Sequence, residues 1–177
     1  MYYQKRPKHK VFISFYHHDD QTYKGYIDRW LSDQIINKSV SDGEYDTENS
    51  DEYIKRLIRK EKVSDSSVVV VLVGPHTKYR KHVDWEIYAG LRASINGNSG
   101  LIAIMLPETK RADGKYYYED LPDRLSDNIK SGYADWYEWS YAVQHFDQII
   151  EQAYDNRITR RKSIDNSRQQ MKYNTGG

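Results

Sequence analysis

Residues able to do chemistry gather at two places in this 177-residue chain. One is the run Phe15-Tyr16-His17-His18-Asp19-Asp20, and the other is His82 with Asp84, Trp85 and Glu86. Adjacent carboxylates such as Asp19 and Asp20 would suit magnesium beside a phospho-acceptor, as in phosphorelay receivers. That scheme needs a further aspartate at the end of a central strand, and neither Val73-Gly74-Pro75 nor Leu106-Pro107-Glu108 supplies one. His17 and His18 are neighbours at a strand end, so they point opposite ways and make poor joint ligands. No metal site is expected. The chain has no cysteine, which excludes thiol nucleophiles, thiolate metal sites and disulfides. It also lacks GxGxxG, GxxxxGK[ST], HExxH, an EF-hand loop and GxSxG; Gly97 and Gly100 precede a strand rather than follow one. The candidates of both clusters remain, and among them Glu86 lies a helical turn beyond His82. The two can share a face while Val83 and Ile87 pack inward.

Three apolar runs must position these clusters: Val11–Phe15, Val68–Val73 and Leu101–Leu106. Each is short, rich in β-branched residues and closed by polar or Gly/Pro punctuation, and their continuous hydrophobicity suits a parallel sheet covered on both faces. Helical spacing predicts helices over Tyr23–Asn37 and Tyr79–Ser94, and a last helix carrying Val143, Phe146, Ile149, Ile150 and Ala153. Asn49 with Glu52 resembles a capping box, opening a helix with Tyr53, Ile54, Leu57 and Ile58 on its apolar face. The alternation predicts an α/β fold, an open parallel sheet with helices on both faces. Tyr116-Tyr117-Tyr118 reads as strand or loop. Tyr133, Trp136, Tyr137 and Trp139 suit a further short strand, although their spacing fits neither period, and packing is the plainer role for that cluster. Ligands bind beyond the carboxyl ends of the strands in such sheets, where both clusters fall. Glu86 would otherwise read as an ordinary helix-surface carboxylate, and location is one of two grounds for setting it apart, the other being the family resemblance given below. Phe15 suits a core as well as a pocket, and Tyr16, His17 and Asp19 also suit an ordinary loop.

Twenty-seven basic and 26 acidic residues leave a formal charge of +1, so neither nucleic acid nor a membrane is expected as a partner. The acidic stretch from Asp42 to Glu52, the basic one from Lys55 to Lys62, and the basic residues from Arg157 onward read as solvated faces. Seventeen tyrosines are compatible with partner surfaces. The longest apolar run, Val68–Val73, is far too short to span a bilayer, and a cytoplasmic protein is expected. The organisation expected is an N-terminal extension over 1–9, one domain over 10–160, and a polar tail over 161–177 that is frayed or bound by a partner.

Several segments resemble one family. Lys10-Val-Phe-Ile-Ser-Phe15, followed by a polar loop and Asp19, is similar to the opening strand of TIR domains, most closely the TIR-like branch of bacterial Thoeris antiphage systems. The loop and helix over Asp46–Ile58, the strand ending at Gly74, the helix with Trp85-Glu86-Ile87, and Leu121-Pro-Asp-Arg-Leu125 with Asp127-Asn128-Ile129 and Gly132-Tyr133 also resemble this branch. The likeness runs from about Lys10 to Trp139. It implies a flavodoxin-like fold and cleavage of the nicotinamide–ribose bond of NAD⁺, a substrate here and not a cofactor. Glu86 would be the catalytic carboxylate, beside a substrate site formed by Phe15, Tyr16, His17, Asp19 and His82. The product implied is an ADP-ribose-derived, often cyclic signal that activates a partner effector, with a phage-derived trigger and a homo-oligomer as further partners. A non-catalytic TIR interaction module is the alternative. The chain departs from the general pattern at His82, where many TIR domains have the tryptophan that precedes the glutamate by four residues; its tryptophan is Trp85. The resemblance assigns no role to Ser94, Asn96 and Asn98.

Overall fold

The run Val68–Val73 has no polar face, so it is stable only where both sides are covered. In the computed structural model, which describes residues 7–37, 49–92 and 97–176, it is the centre of the sheet. The strands are β1 (His9–Ser14), β2 (Ile35–Asn37), β3 (Val68–Val73), β4 (Gly100–Met105) and β5 (Asp135–Glu138). They lie in the order β2-β1-β3-β4-β5, and every pairing is parallel. The helices are α1 (His17–Tyr26), α2 (Asp51–Leu57), α3 (Lys81–Leu91), α4 (Asp123–Lys130), α5 (Trp139–Gln144) and α6 (Phe146–Thr159).

Alternation along the strands divides the core in two. Phe12, Val69, Val71 and Ala103 face Ile54, Trp85, Ile87 and Leu125 of α2, α3 and α4. Val11, Ile13, Val70 and Ile104 face Ile27, Ala142, Phe146 and Ile150 on the opposite side. This is the expected α/β architecture, with helices on both faces. No helix among the described residues is long and apolar enough to cross a membrane.

The differences from expectation have local causes. The single helix expected over Tyr23–Asn37 is instead α1, a π-helical turn over Ile27–Leu31, and then β2, a three-residue edge strand pairing with His9–Val11. Ile35 and Ile36 continue the helical spacing, but only Ile35 turns inward. Ser50, not Asn49, caps α2, its hydroxyl accepting from the Tyr53 N–H at 3.2 Å. A 3₁₀ turn over Thr77–Tyr79 precedes α3, and Ser94 lies outside the described residues, as do Asn96 and the acidic stretch through Glu48. The last helix is two, α5 and α6, broken at His145. Tyr116–Tyr118 forms no strand, whereas Trp136 and Tyr137 sit in β5. At Gly100 the backbone of β4 passes so close to α6 that a Cβ there would stand 2.2 Å from the Ala153 carbonyl oxygen.

The C-terminal segment, expected to be frayed or bound by a partner, is bonded to α3 and to the residues just before it. The Met171 N–H donates to Asp84 Oδ2 at 2.8 Å, and the Trp85 indole N–H donates to the Met171 carbonyl at 2.8 Å. Asn166 Nδ2 donates to the Tyr88 carbonyl at 3.2 Å, and the Thr175 N–H donates to the Tyr79 carbonyl at 3.0 Å.

Candidate functional site

Ser14 closes β1, and the alternation that sends Phe12 toward α3 sends Ser14 the same way. There it meets Glu86, in the second turn of α3. The Glu86 carboxyl is 4% exposed, and burial pushes its pKa well above the ordinary carboxylate range. The nearby Ser14 hydroxyl works against that shift, but it makes no hydrogen bond of acceptable geometry and stays buried with its capacity unused. The carboxyl, held by burial toward its protonated form, thus lies beside a buried and unsatisfied hydroxyl at the carboxyl end of β1. A cation brought to this carboxyl would favour its ionised form.

His82 stands one turn before Glu86. Burial, followed by the neighbouring Lys81, lowers its pKa to about 4, so the imidazole is neutral near pH 7. His17 is close enough to add to that lowering, and the Asp51 carboxylate opposes it. His17 stacks on Phe15 at 4.1 Å between ring centroids. The Tyr16 ring carries the Arg80 guanidinium at 4.3 Å, and Arg80 Nε is buried with no hydrogen-bond partner. Asp19 turns to other histidines, bonding to His18 Nδ1 at 2.6 Å and to His76, and these bonds lower its pKa. Behind it, burial raises the Asp20 pKa to about 6, partly offset by the Thr77 hydroxyl at 3.3 Å.

Glu86, His82 and His17 thus share one edge of the sheet, with Tyr16 beside them. Phe15 does not share the Glu86 face. Its ring packs into the core with Val11 and Ile13, on the opposite side of the sheet, and reaches the edge only through its stack on His17. Sequence reasoning missed Ser14 and Arg80. Period-two alternation from Phe12 was the available signal for Ser14, whereas Arg80 carries none, because its place depends on the turn before α3.

Glu86 lacks the tryptophan usual at position 82, and its helix is held by other means. Arg124, fully buried, pairs with Asp84 at 2.8 Å and donates to the Arg168 carbonyl at 2.8 Å and to Asn166 Oδ1 at 3.0 Å. Trp85 is itself 1% exposed, its indole tied to Met171. The C-terminal segment therefore grips the two residues that precede Glu86.

Comparison with known proteins gives two likenesses. The family model described as Thoeris protein ThsB, TIR-like domain, matches residues 12–111. Among solved structures, the chain is similar to the TIR domains in the structure of the activated Roq1 resistosome directly recognizing the pathogen effector XopQ, at 12% identity over 84% of each chain with a TM-score of 0.41. No curated protein matches. The family match takes in the end of β1, all of β2, β3 and β4, the turn at Gly74 and all of α3, more than half of the sequence, and the chain belongs to the TIR-like domain family of Thoeris ThsB.

Proposed function

We propose that this protein acts in cytoplasmic antiphage defence by cleaving the nicotinamide–ribose bond of NAD⁺ and making an ADP-ribose-derived, cyclic signal that activates a partner effector. The observation that carries this reading is the Glu86 carboxyl, buried at the carboxyl end of β1 with its pKa raised. The bond between ribose C1′ and the nicotinamide nitrogen breaks with its electron pair moving to nitrogen. Nicotinamide, cationic when bound to ribose, leaves neutral and needs no general acid. The ribosyl centre left behind is oxocarbenium-like, and a carboxylate beside it stabilises the developing charge. The cationic ring also favours ionisation of a carboxyl that burial holds toward its neutral form, so substrate binding and proton release are linked. Attack by water then gives ADP-ribose and a proton. Attack by a hydroxyl of the same molecule closes a ring, an outcome favoured by excluding water.

His82, neutral near pH 7, and His17 beside it are suited to hydrogen-bond ribose hydroxyls, and Asp19 lies at the rim. Tyr16 stands beside them under Arg80, and Phe15 backs His17 from the core. With 4% exposure Glu86 is shut, which suits a sensor that turns over only once a phage component opens the site. The same burial, together with Trp30 at 63% exposure on the surface, also suits a non-catalytic module that assembles through its faces.

The test is NAD⁺ consumption in extract of phage-infected cells, comparing the wild type with Glu86→Gln. The expected loss is about 100-fold or more, the scale on which removing an electrostatic stabiliser acts. Equal turnover by the two proteins would remove Glu86 from the chemistry, and no turnover by either would favour the assembly module.

A further inference from the structure

Behind the Glu86 helix, between α2, α3 and the C-terminal segment, lies a cavity of about 210 Å³. Lys55, Arg56, Arg59 and Arg92 line it, against a single acid, Glu52. Arg56, Arg59 and Arg92 are exposed, and their guanidinium groups have no ion-pair or hydrogen-bond partner among the described residues. Lys55 meets Glu52 only at 3.8 Å and holds its ammonium 4.9 Å above the Trp85 ring. Four cations around one small cavity repel one another, in a chain whose formal charge is only +1. Arg92 follows the last residue of α3, where a cation also complements the helix dipole. Arg56 and Arg59 have no such account, because the helical backbone runs on from α2 through a π-helical turn to Val63.

The cavity is lined chiefly by charge, and of its two aromatic residues Tyr88 carries the Arg124 guanidinium at 5.1 Å. Trp85 is 1% exposed, and the ammonium groups of Lys55 and Lys81 lie over it at 4.9 and 5.1 Å, so no base can stack there. Its volume is below the roughly 300 Å³ at which pockets for whole small molecules begin, which leaves room for a compact polyanion. Guanidinium forks match phosphoryl oxygens in geometry as well as charge. We propose that this pocket binds the diphosphate group of a small phosphorylated molecule, with the remainder of the ligand left outside. The site is separate from Glu86 and does not depend on NAD⁺ turnover.

Calorimetric titration of the full chain with inorganic pyrophosphate tests this. Binding by the wild type should weaken about tenfold or more in the triple variant Arg56→Gln, Arg59→Gln, Arg92→Gln, whose substitutions are all at exposed positions and whose unchanged melting midpoint would show an intact fold. Glu86→Gln should bind pyrophosphate like the wild type. ADP should compete with pyrophosphate at an affinity within about threefold, because the diphosphate supplies the contacts. The proposal fails if the wild type does not bind pyrophosphate, or if the triple variant binds it equally well. Loss of binding in Glu86→Gln overturns it by assigning the anion to the Glu86 site. ADP binding more than about tenfold tighter than pyrophosphate overturns it by showing that the nucleoside is also read.

Discussion

Asp20 and Glu86 are acids that burial holds toward their protonated forms, and Asp20 shows what that costs. Its folded pKa of about 6 stands above the ordinary 3.8, so the folded state binds the proton more tightly than the unfolded chain. Its favourable contribution is present below the unfolded pKa and is lost as pH rises through 6. Asp20→Asn should therefore stabilise the protein at pH 8 by on the order of 2 kcal/mol, with the gain shrinking toward nil near pH 4; urea unfolding at the two pH values measures it. Gly74 belongs to the same arrangement, since a Cβ there would stand 2.5 Å from Asp20 Oδ1. At this scale the sequence revealed residue type and place but not facing. Glu86 could be located beyond the strand ends, whereas the burial that makes it chemically unusual depends on neighbours distant in sequence. Asp20 was visible only as one of a pair of carboxylates.

The elements explain what holds α3 still. Removing Arg124 leaves Asp84 buried with only the Met171 N–H as donor, so Arg124→Met should cost about 3–5 kcal/mol in equilibrium unfolding. Adding Asp84→Leu should recover much of that loss, because the uncompensated charge goes with it. Gly100→Ala forces β4 and α6 apart at the Ala153 carbonyl and should cost about 1–3 kcal/mol, read as a lowered melting midpoint. Strand β3 was legible to the residue, because six apolar residues between polar boundaries admit one reading. Strand β2 was not, because two isoleucines at the end of an apolar helical pattern satisfy either period until β1 lies alongside. The C-terminal segment was opaque for another reason. It docks mainly through backbone groups and polar side chains, which leave no hydrophobic periodicity.

For the whole molecule, these groups set a pH profile. His82 has a folded pKa of about 4 against an ordinary 6.5, so the stability of its neutral burial is present above the unfolded value and is lost as pH falls from 6.5 to 4. Asp20 runs the other way over nearly the same window and roughly offsets it. Glu86, its pKa raised well above the carboxylate range, has no opposing partner at higher pH. Thermal unfolding should therefore show a midpoint that falls as pH rises above the ordinary 4.5 of Glu86, with Glu86→Gln flattening that fall. A midpoint that climbs steadily to pH 8 would contradict the raised pKa of Glu86. Such a variant would be more stable at pH 8 than the wild type and yet without turnover, a trade typical of groups kept for function. Strand β3 carries a consequence beyond stability. Val68–Val73 is a six-residue segment of high β-propensity without charge or proline, the composition of a steric zipper once uncovered. Chains that lose the covering helices should enter aggregates instead of remaining soluble and unfolded. The central segment of the folded sheet then becomes the nucleus of its precipitate.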